Sequence, residues 1–431
     1  MRGASSPQHA AHQLTPRPRA AVRDFQGKQR RPLVPEIAEG RYNRRTPEPA
    51  IRNAPNKPAS PVHWGTPPWR VNFRPALNPL PKSVDVAIIG GGFTGLAAAA
   101  WLRRLDPKLS VAVFEAGRIG HGASGRTGGM VLGETAAGAK PGLGDVLAGF
   151  PKILRALQVA CDLSLGGAWE IARKHGHANS PINWEDSGTL RVVKKVPGGS
   201  LDPGKMVSDL ARAAVRAGAM IFENRRAGKI EWRSPAVIEF ARSKVRAAKI
   251  LLATNALSLD LAGYEEDQAT PRLTLAALTP PVTEKTLAAI GLGERKPFYT
   301  VDFPYLWGRV RRDRSIVWGA GLVAAPGSRD LETLDIRAQE PQQAFATLEN
   351  RVRHLHPALE RTRFTHAWGG PILFRENWTP VFTRHPASRN GIVLGAYAGH
   401  GVALSVYLGT WAAEALLGKR DLPRWGSLKN F

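Results

Sequence analysis

Apolar and polar positions divide the chain into contrasting textures. Residues 1–63 show hardly any apolar periodicity and hold 10 prolines, 12 lysines and arginines and 4 acids. Such a segment buries too little apolar surface to offset its conformational entropy, so the pattern predicts a disordered, basic, proline-rich extension. A short lead-in follows at 64–81. From about residue 82 the texture changes. VDVAII (84–89) is a β-branched apolar run, GGGFTG follows it, LAAAAWLRRL (96–105) has helical spacing, and SVAVFE (110–115) is a second strand. Together they make a βαβ unit, and the fold class expected is α/β with a Rossmann-like domain.

Further along, VLAGFPKILRALQVACDLSLGGAWEIARKHG (146–176) reads as one or two helices and GTLRVV (188–193) as a strand. DPGKMVSDLARAAVRAG (202–218) has an N-capping Asp202, a proline in its first turn and Gly218 at its end, so it is a helix. Strands are expected in MIFENRRAGKIEW, AVIEFARS, KILLATNAL, LTLAAL, YLWGRV and SIVWGAG, with a helix near 341–356. The chain closes with the strand GIVLGA (391–396), the cluster AGHG, the helix VALSVYLGTWAAEALL (402–417) and a tail at 419–431. Residues 84–102 approach the length of a membrane span, but four glycines and Asp85 make them strand, turn and helix. No transmembrane segment is expected elsewhere.

Charge adds a constraint. Sixty lysines and arginines face 35 acids, and without the first 63 residues an excess of 17 remains. That field attracts polyanions, anionic surfaces or anionic small molecules. A nucleic-acid partner is not expected, because neither zinc-finger cysteines nor an RNP-like strand accompanies the charge. The single cysteine, Cys161, excludes an internal disulfide and a thiolate cluster, which fits the cytoplasm, and its apolar neighbours mark it as a buried structural thiol. The pairs His175/His177 and His354/His356 lack carboxylate companions, so no metal is expected.

Gly90, Gly92 and Gly95 form GxGxxG between a strand and a helix, the context a dinucleotide fingerprint requires. The first glycine turns the chain, the second admits a pyrophosphate to the backbone, and the third lets helix pack on strand. The helix N-terminus then faces the phosphates, with Phe93 and Thr94 in its first turn. Glu115, 20 residues after Gly95, ends the second strand where its carboxylate meets ribose hydroxyls. An acid there disfavours a 2′-phosphate, which leaves NAD or FAD.

The next stretch favours FAD. EAGRIGHGASGRTGGMV (115–131) supplies bare backbone beyond the ribose acid, as an extended flavin dinucleotide requires. Ser124 and Thr127 offer hydroxyls, and Arg118 or Arg126 a charge to offset the phosphates. A third cluster, GAYAGHG (395–401), aims the last helix inward, where its positive end favours reduced flavin.

These motifs resemble the FAD-dependent amine and amino-acid oxidoreductases, the D-amino-acid-oxidase-like family of glycine and sarcosine oxidases, and within it the γ-glutamylputrescine oxidoreductase branch. The resemblance spans roughly residues 64–418. It rests on VDVAIIGGGFTGLAAA, EAGRIGHGASGRTGG, the helix and strand from Asp202 to Ile230, LLATNA, WGGPI (368–372) and GAYAGHGVALS. Thr127 stands where relatives usually carry Asn, and Ala227 where they carry Val.

What the resemblance implies is an FAD-binding domain assembled from 82–135, 202–262 and 365–418, with an interleaved α+β substrate domain from 136–201 and 263–364 on a mixed sheet. The cofactor set it implies comprises Gly90, Gly92, Gly95, Glu115, Ala116, Ala123, Ser124, Gly125, Arg126, Gly129, Met130, Ala227, Thr254, Asn255, Gly399, His400, Gly401 and Val402. FAD is expected to be non-covalent, because Cys161 lies outside the motifs and His121 matches no tether of this branch. The chemistry implied is hydride transfer from the carbon bearing an amine to flavin N5, followed by imine hydrolysis. Oxygen is one candidate acceptor, and oxidase and dehydrogenase both stay open. His400, Tyr305, Arg309 and Trp368 are the pocket candidates. Arg309 also reads as a surface strand residue beside the basic turn RRDR. Two other functions stay beside this one: a NAD-linked dehydrogenase, and a basic protein holding nucleic acid or an anionic surface on a flavin-fold scaffold.

Overall fold

The computed structural model describes residues 63–173, 176, 179–264, 268–324 and 328–427. The expected extension up to residue 62, the pair His175/His177 and the end of the tail lie outside them.

Strand β1 (Ser83–Ile89) is flanked in parallel by β2 (Val111–Phe114) on one side and by Ser243–Leu252 on the other. Met220–Phe222 continues the sheet in parallel beyond β2, and Ser388–Gly395 continues it beyond Ser243–Leu252. Val381–His385 closes that edge as an antiparallel hairpin. β2 is buried along its whole length, as a strand covered on both faces must be, which explains its continuous apolar sequence. Helix α1 (Phe93–Leu105) covers one face and buries Ala97 to Ala100 completely. Small residues suit it because another helix, Gly401–Leu416, crosses it closely. A Cβ on Gly409 would lie 2.7 Å from the Thr94 carbonyl. Helix Pro203–Arg216 starts as expected, with the Asp202 carboxylate accepting from Lys205 N at 2.9 Å.

A second, largely antiparallel sheet runs in the order His366–Phe374, Thr270–Leu278, Ile316–Ala324, Trp307–Val310, Phe298–Thr300, Ala168–Ala172, Thr189–Val196 and Asn183–Glu185. The pair Phe298–Thr300 and Ala168–Ala172 is parallel, so the sheet is mixed. Its outer face packs a core including Trp184, Phe298 and Trp318, with Leu348 and Val352 of helix Gln339–His354. Its inner face carries Trp307 and Trp368, which meet Trp69 of the lead-in at the junction with the first sheet.

Some local expectations give way. The helix Val146–Ala156 forms, but AWEIA beyond it is the strand Ala168–Ala172. The helix ends at Leu157, with Gln158 at φ +54 just beyond it, and partners on both sides supply the ladder for the strand. Cys161 lies past the helix end in irregular chain, where burial pushes its thiol up to about 12. Among the described residues, no helix is long and apolar enough to cross a membrane.

Candidate active site

A cleft opens at the carboxyl ends of the parallel strands, where α/β sheets present their ligand sites. Loops after β1, β2, Ser243–Leu252 and Ser388–Gly395 wall it, and it holds about 1120 Å³, open mouth included.

The fingerprint turn is built by sterics. Gly90 takes φ +113, in the left-handed region. A Cβ on Gly95 would lie 2.0 Å from the Gly90 carbonyl, so helix α1 can start this close to β1 only without a side chain. Ser124 Oγ accepts from Phe93 N at 2.9 Å and ties the second glycine loop to the start of α1. α1 and Gly401–Leu416 both begin at the cleft with no cap from their N-cap residues Gly92 and His400 and no acid in the first turn. Two positive helix ends thus converge on the ligand space.

Glu115 accepts from Gly91 N at 2.8 Å through one carboxylate oxygen and from Gly117 N at 2.9 Å through the other. Burial pushes its pKa up, opposed by those two amides and by Arg226. Each oxygen keeps a lone pair for a ribose hydroxyl.

The loops at the two remaining strand ends carry backbone strain. Asn255, Ser258, Ala396 and Ala398 all take left-handed φ between +48 and +57. Such conformations cost about 1–3 kcal/mol each and cluster where ligands bind. Asn255 Oδ1 accepts from Ala396 N at 2.9 Å and locks one loop to the other.

Gly90, Gly92, Phe93, Thr94, Glu115, Ala116, Ala123, Ser124, Ala227, Thr254, Asn255, Gly399, Gly401 and Val402, all expected at the cofactor, line this cleft, as does Thr127. Gly95, Gly125, Gly129 and Met130 are outside its lining. A Cβ on Gly125 would lie 2.2 Å from Gly120 O, and one on Gly129 2.3 Å from Leu201 O. Met130 pairs with Ser200 in a small ribbon. The two arginines expected to offset phosphate charge do not face the cleft. Arg118 is exposed, with Nε 3.9 Å from the Glu223 carboxylate. Arg126 donates to the carbonyls of His121, Gly65 and Gly369 at 3.1, 2.8 and 3.1 Å, and its guanidinium stacks on Trp64.

The pocket candidates separate. Tyr305 lies in irregular chain just before the strand Trp307–Val310, exposed, with its ring tilted against Phe303 at 4.3 Å between centroids. Trp368 is buried and donates to the Arg126 carbonyl at 2.9 Å, while Pro371 and Ile372 of its strand reach the cleft. Arg309 is 7% exposed, which corrects its reading as a surface residue. It donates through Nε to the Gly128 carbonyl, and burial lowers its pKa to about 10. No carboxylate among the described residues pairs with it. His400 is the N-cap of the last helix, but its Nδ1 turns back to the Ala398 carbonyl at 3.4 Å and does not cap. Burial holds its pKa below the ordinary value.

Sequence reasoning missed Tyr397, Ser405, Arg226 and Glu332. Tyr397 lines the cleft and shares a 2.8 Å hydrogen bond with Thr94, joining the starts of the two helices. Ser405, a hydroxyl near the start of a mostly apolar helix, is a readable signal. The Arg226 and Glu332 pair, 3.0 Å apart at the cleft, joins segments with no sequence link. Among the described residues, no group of three or more His, Cys, Asp or Glu side chains could hold a metal ion.

The cleft tests for its ligand through its own unmet needs. Thr254 Oγ1 and Ser405 Oγ line it, are buried, and have no protein partner. Buried hydroxyls cost about 1–3 kcal/mol when unpaired. With Glu115 and two helix starts free of acids, they fit a long anionic ligand with many oxygens. Ser405→Ala is expected to raise the melting temperature of the flavin-free protein while weakening FAD binding about 2- to 10-fold, one buried hydrogen bond's worth. Titration of the flavin-free variant with FAD checks this, and unchanged affinity places Ser405 outside the contact set.

Fold and cleft together define a dinucleotide-binding protein of the Rossmann class, with a second sheet that reaches the cleft through Pro371 and Ile372. The chain belongs to the FAD dependent oxidoreductase family, whose model matches residues 85–197 and 193–415. That match decides for FAD over NAD and makes the protein an FAD-dependent oxidoreductase. It is 28% identical over 401 residues to a probable oxidoreductase, OrdL, of Rhizobium meliloti (strain 1021), covering 80% of this chain and 86% of that one. It is 25% identical over 393 residues to the γ-glutamylputrescine oxidoreductase of Escherichia coli (strain K12), with the same coverage. In fold it is similar to the glycine oxidase of Bacillus cereus ATCC 14579, at a TM-score of 0.62 and 17% identity, over 78% of this chain and 96% of that one.

Proposed function

We propose that this oxidoreductase oxidises the C–N bond of a small amine or amino-acid-like substrate. Its relatives named above, a γ-glutamylputrescine oxidoreductase and a glycine oxidase, support that class. The observation that carries it is the family match over residues 85–197 and 193–415, taken together with the likeness to those two proteins.

Glu115, Ser124, Thr254, Asn255 and the starts of α1 and Gly401–Leu416 would hold non-covalent FAD along the cleft. Bound there, FAD would supply a two-electron acceptor for hydride from the carbon bearing the amine, and the imine so formed would be open to hydrolysis by water. The chain's own residues orient the substrate and manage its proton. His400 stays neutral at neutral pH because burial disfavours its cation. With Nδ1–H given to Ala398 O, its Nε2 is an acceptor for a proton from the substrate ammonium.

The FAD domain of 82–135, 202–262 and 365–418 is supported by the first sheet, whose strands all fall within those ranges. His366–Phe374, within the last of those ranges, pairs with Thr270–Leu278 of the second sheet.

Mixing the protein with a panel of amines and amino acids without oxygen tests the proposal. Bleaching of the flavin by one of them is expected, and the rate of recovery on admitting oxygen separates oxidase from dehydrogenase. Flavin that stays oxidised with every amine, yet is reduced by a donor lacking nitrogen, overturns it.

A further inference from the structure

Three donors from three separate elements grip one loop of the cleft from behind. The Trp69 indole N–H donates to the Gly125 carbonyl at 2.7 Å, the Trp368 indole N–H to the Arg126 carbonyl at 2.9 Å, and Arg309 Nε to the Gly128 carbonyl. Trp69 and Trp368 also meet edge to face at 5.4 Å, and the Arg309 guanidinium lies 5.9 Å over the Trp69 ring. The opposite side of this loop, at Gly122, Ala123, Ser124 and Thr127, faces the ligand space.

Trp69 belongs to a stretch, residues 63–73, that precedes β1 and lies outside the residues matched by the family. Its tryptophans are nevertheless core residues, Trp64 at 0% and Trp69 at 6% exposure. The stretch is tied down along its length. The His63 carbonyl accepts from Ile336 N at 2.8 Å, and the Trp64 indole donates to Leu331 O at 2.9 Å. The Trp64 carbonyl accepts from Gly369 N at 2.7 Å, and the Gly65 carbonyl from Arg126 at 2.8 Å. At the far end Asn72 N donates to Ser208 Oγ at 2.8 Å on helix Pro203–Arg216. Close passage over that helix requires Gly204, whose Cβ would lie 2.4 Å from the Arg70 carbonyl.

We propose that residues 63–73 are a strap that positions FAD, with Trp69 as its positioning residue. Trp69 is outside the cleft lining, so it acts through the Gly125 carbonyl and not by contact. It holds the loop of residues 120–127 at the height where Ser124 meets both the start of α1 and the cofactor. This rests on the reading that the loop contacts FAD.

Trp69→Phe keeps the ring and removes the N–H, leaving the Gly125 carbonyl without its donor. In the full chain, freed of flavin and titrated with FAD, this variant is expected to bind about 5- to 20-fold more weakly, with an altered visible spectrum of the bound flavin. Trp184→Phe is the control. It removes an equivalent buried indole bond, to Ile290 O at 2.9 Å, within the core of the second sheet. Both variants should lose similar thermal stability without flavin, and only Trp69→Phe should lose FAD affinity. Ser124→Ala reports on the loop itself. FAD binding within twofold of the parent for Trp69→Phe, with weakened binding for Ser124→Ala, overturns the strap. Parent-like binding in both overturns the reading of the loop beneath it. Should Trp69→Phe not fold, Ser208→Ala carries the same comparison, because it frees the strap at its far end.

Discussion

Gly125→Val is expected to give a folded protein that purifies colourless. A Cβ at this position would lie 2.2 Å from the Gly120 carbonyl oxygen and 3.1 Å from its carbon. The same oxygen accepts from Gly125 N at 2.9 Å, so the short loop closes on itself through the atoms that valine would push apart. Relief by sliding is blocked, since the Gly125 carbonyl is held by Trp69 and the next carbonyl by Trp368. Forced overpacking costs about 1–3 kcal/mol, and spent on this loop it weakens FAD about 5- to 150-fold. Absorbance in the visible and an FAD titration measure the effect, while a far-ultraviolet spectrum like the parent's shows that the sheets survive. Flavin content equal to the parent's removes the loop from the cofactor site.

Glu115→Ala is expected to weaken FAD by about 10- to 100-fold. The carboxylate holds two amides, Gly91 N and Gly117 N, each on a different glycine turn. Its loss removes the bond proposed to the adenosine ribose, and hydrogen bonds to charged groups contribute about 1.5–3 kcal/mol. It also releases the fingerprint turn, because no neighbouring acid reaches those amides. Glu223 is committed to Ile119 N at 2.9 Å. Titration of the flavin-free variant measures the loss, and an affinity within threefold of the parent's places the ribose elsewhere.

The parts of this site that could be read along the chain are those that short range dictates. Gly90, Gly92 and Gly95 follow an apolar run and open an alanine-rich helix, and Glu115 ends the next strand, so local pattern suffices to bring them to one sheet edge. Arg126 shows the opposite case. Next to a glycine loop, an arginine reads as a phosphate ligand. Its donors are instead satisfied by carbonyls at Gly65, His121 and Gly369, groups that only the folded chain assembles. Arg309 is hidden for a similar reason. RRDR beside it suggests a surface, yet the inner face of its strand is covered by the loop at Gly128. AWEIA is ambiguous by composition, and its partners at 189–196 and 298–300 decide for strand over helix.

The order in which the parallel strands occur along the chain also governs when the cleft can exist. Ser388–Gly395 adds to Ser243–Leu252, which adds to β1, so neighbours in the sheet are made far apart in synthesis. Long-range pairing of this kind is slow, and the loops that await it stay open meanwhile. Residues 396–401 and the helix Gly401–Leu416 bring one wall of the cleft and one of its two helix starts, and they leave the ribosome after every other part of the cleft. A nascent chain that has completed the GxGxxG turn therefore has the signature of the cofactor without a place to keep it, and FAD becomes a reward for finishing the fold and not a template for starting it.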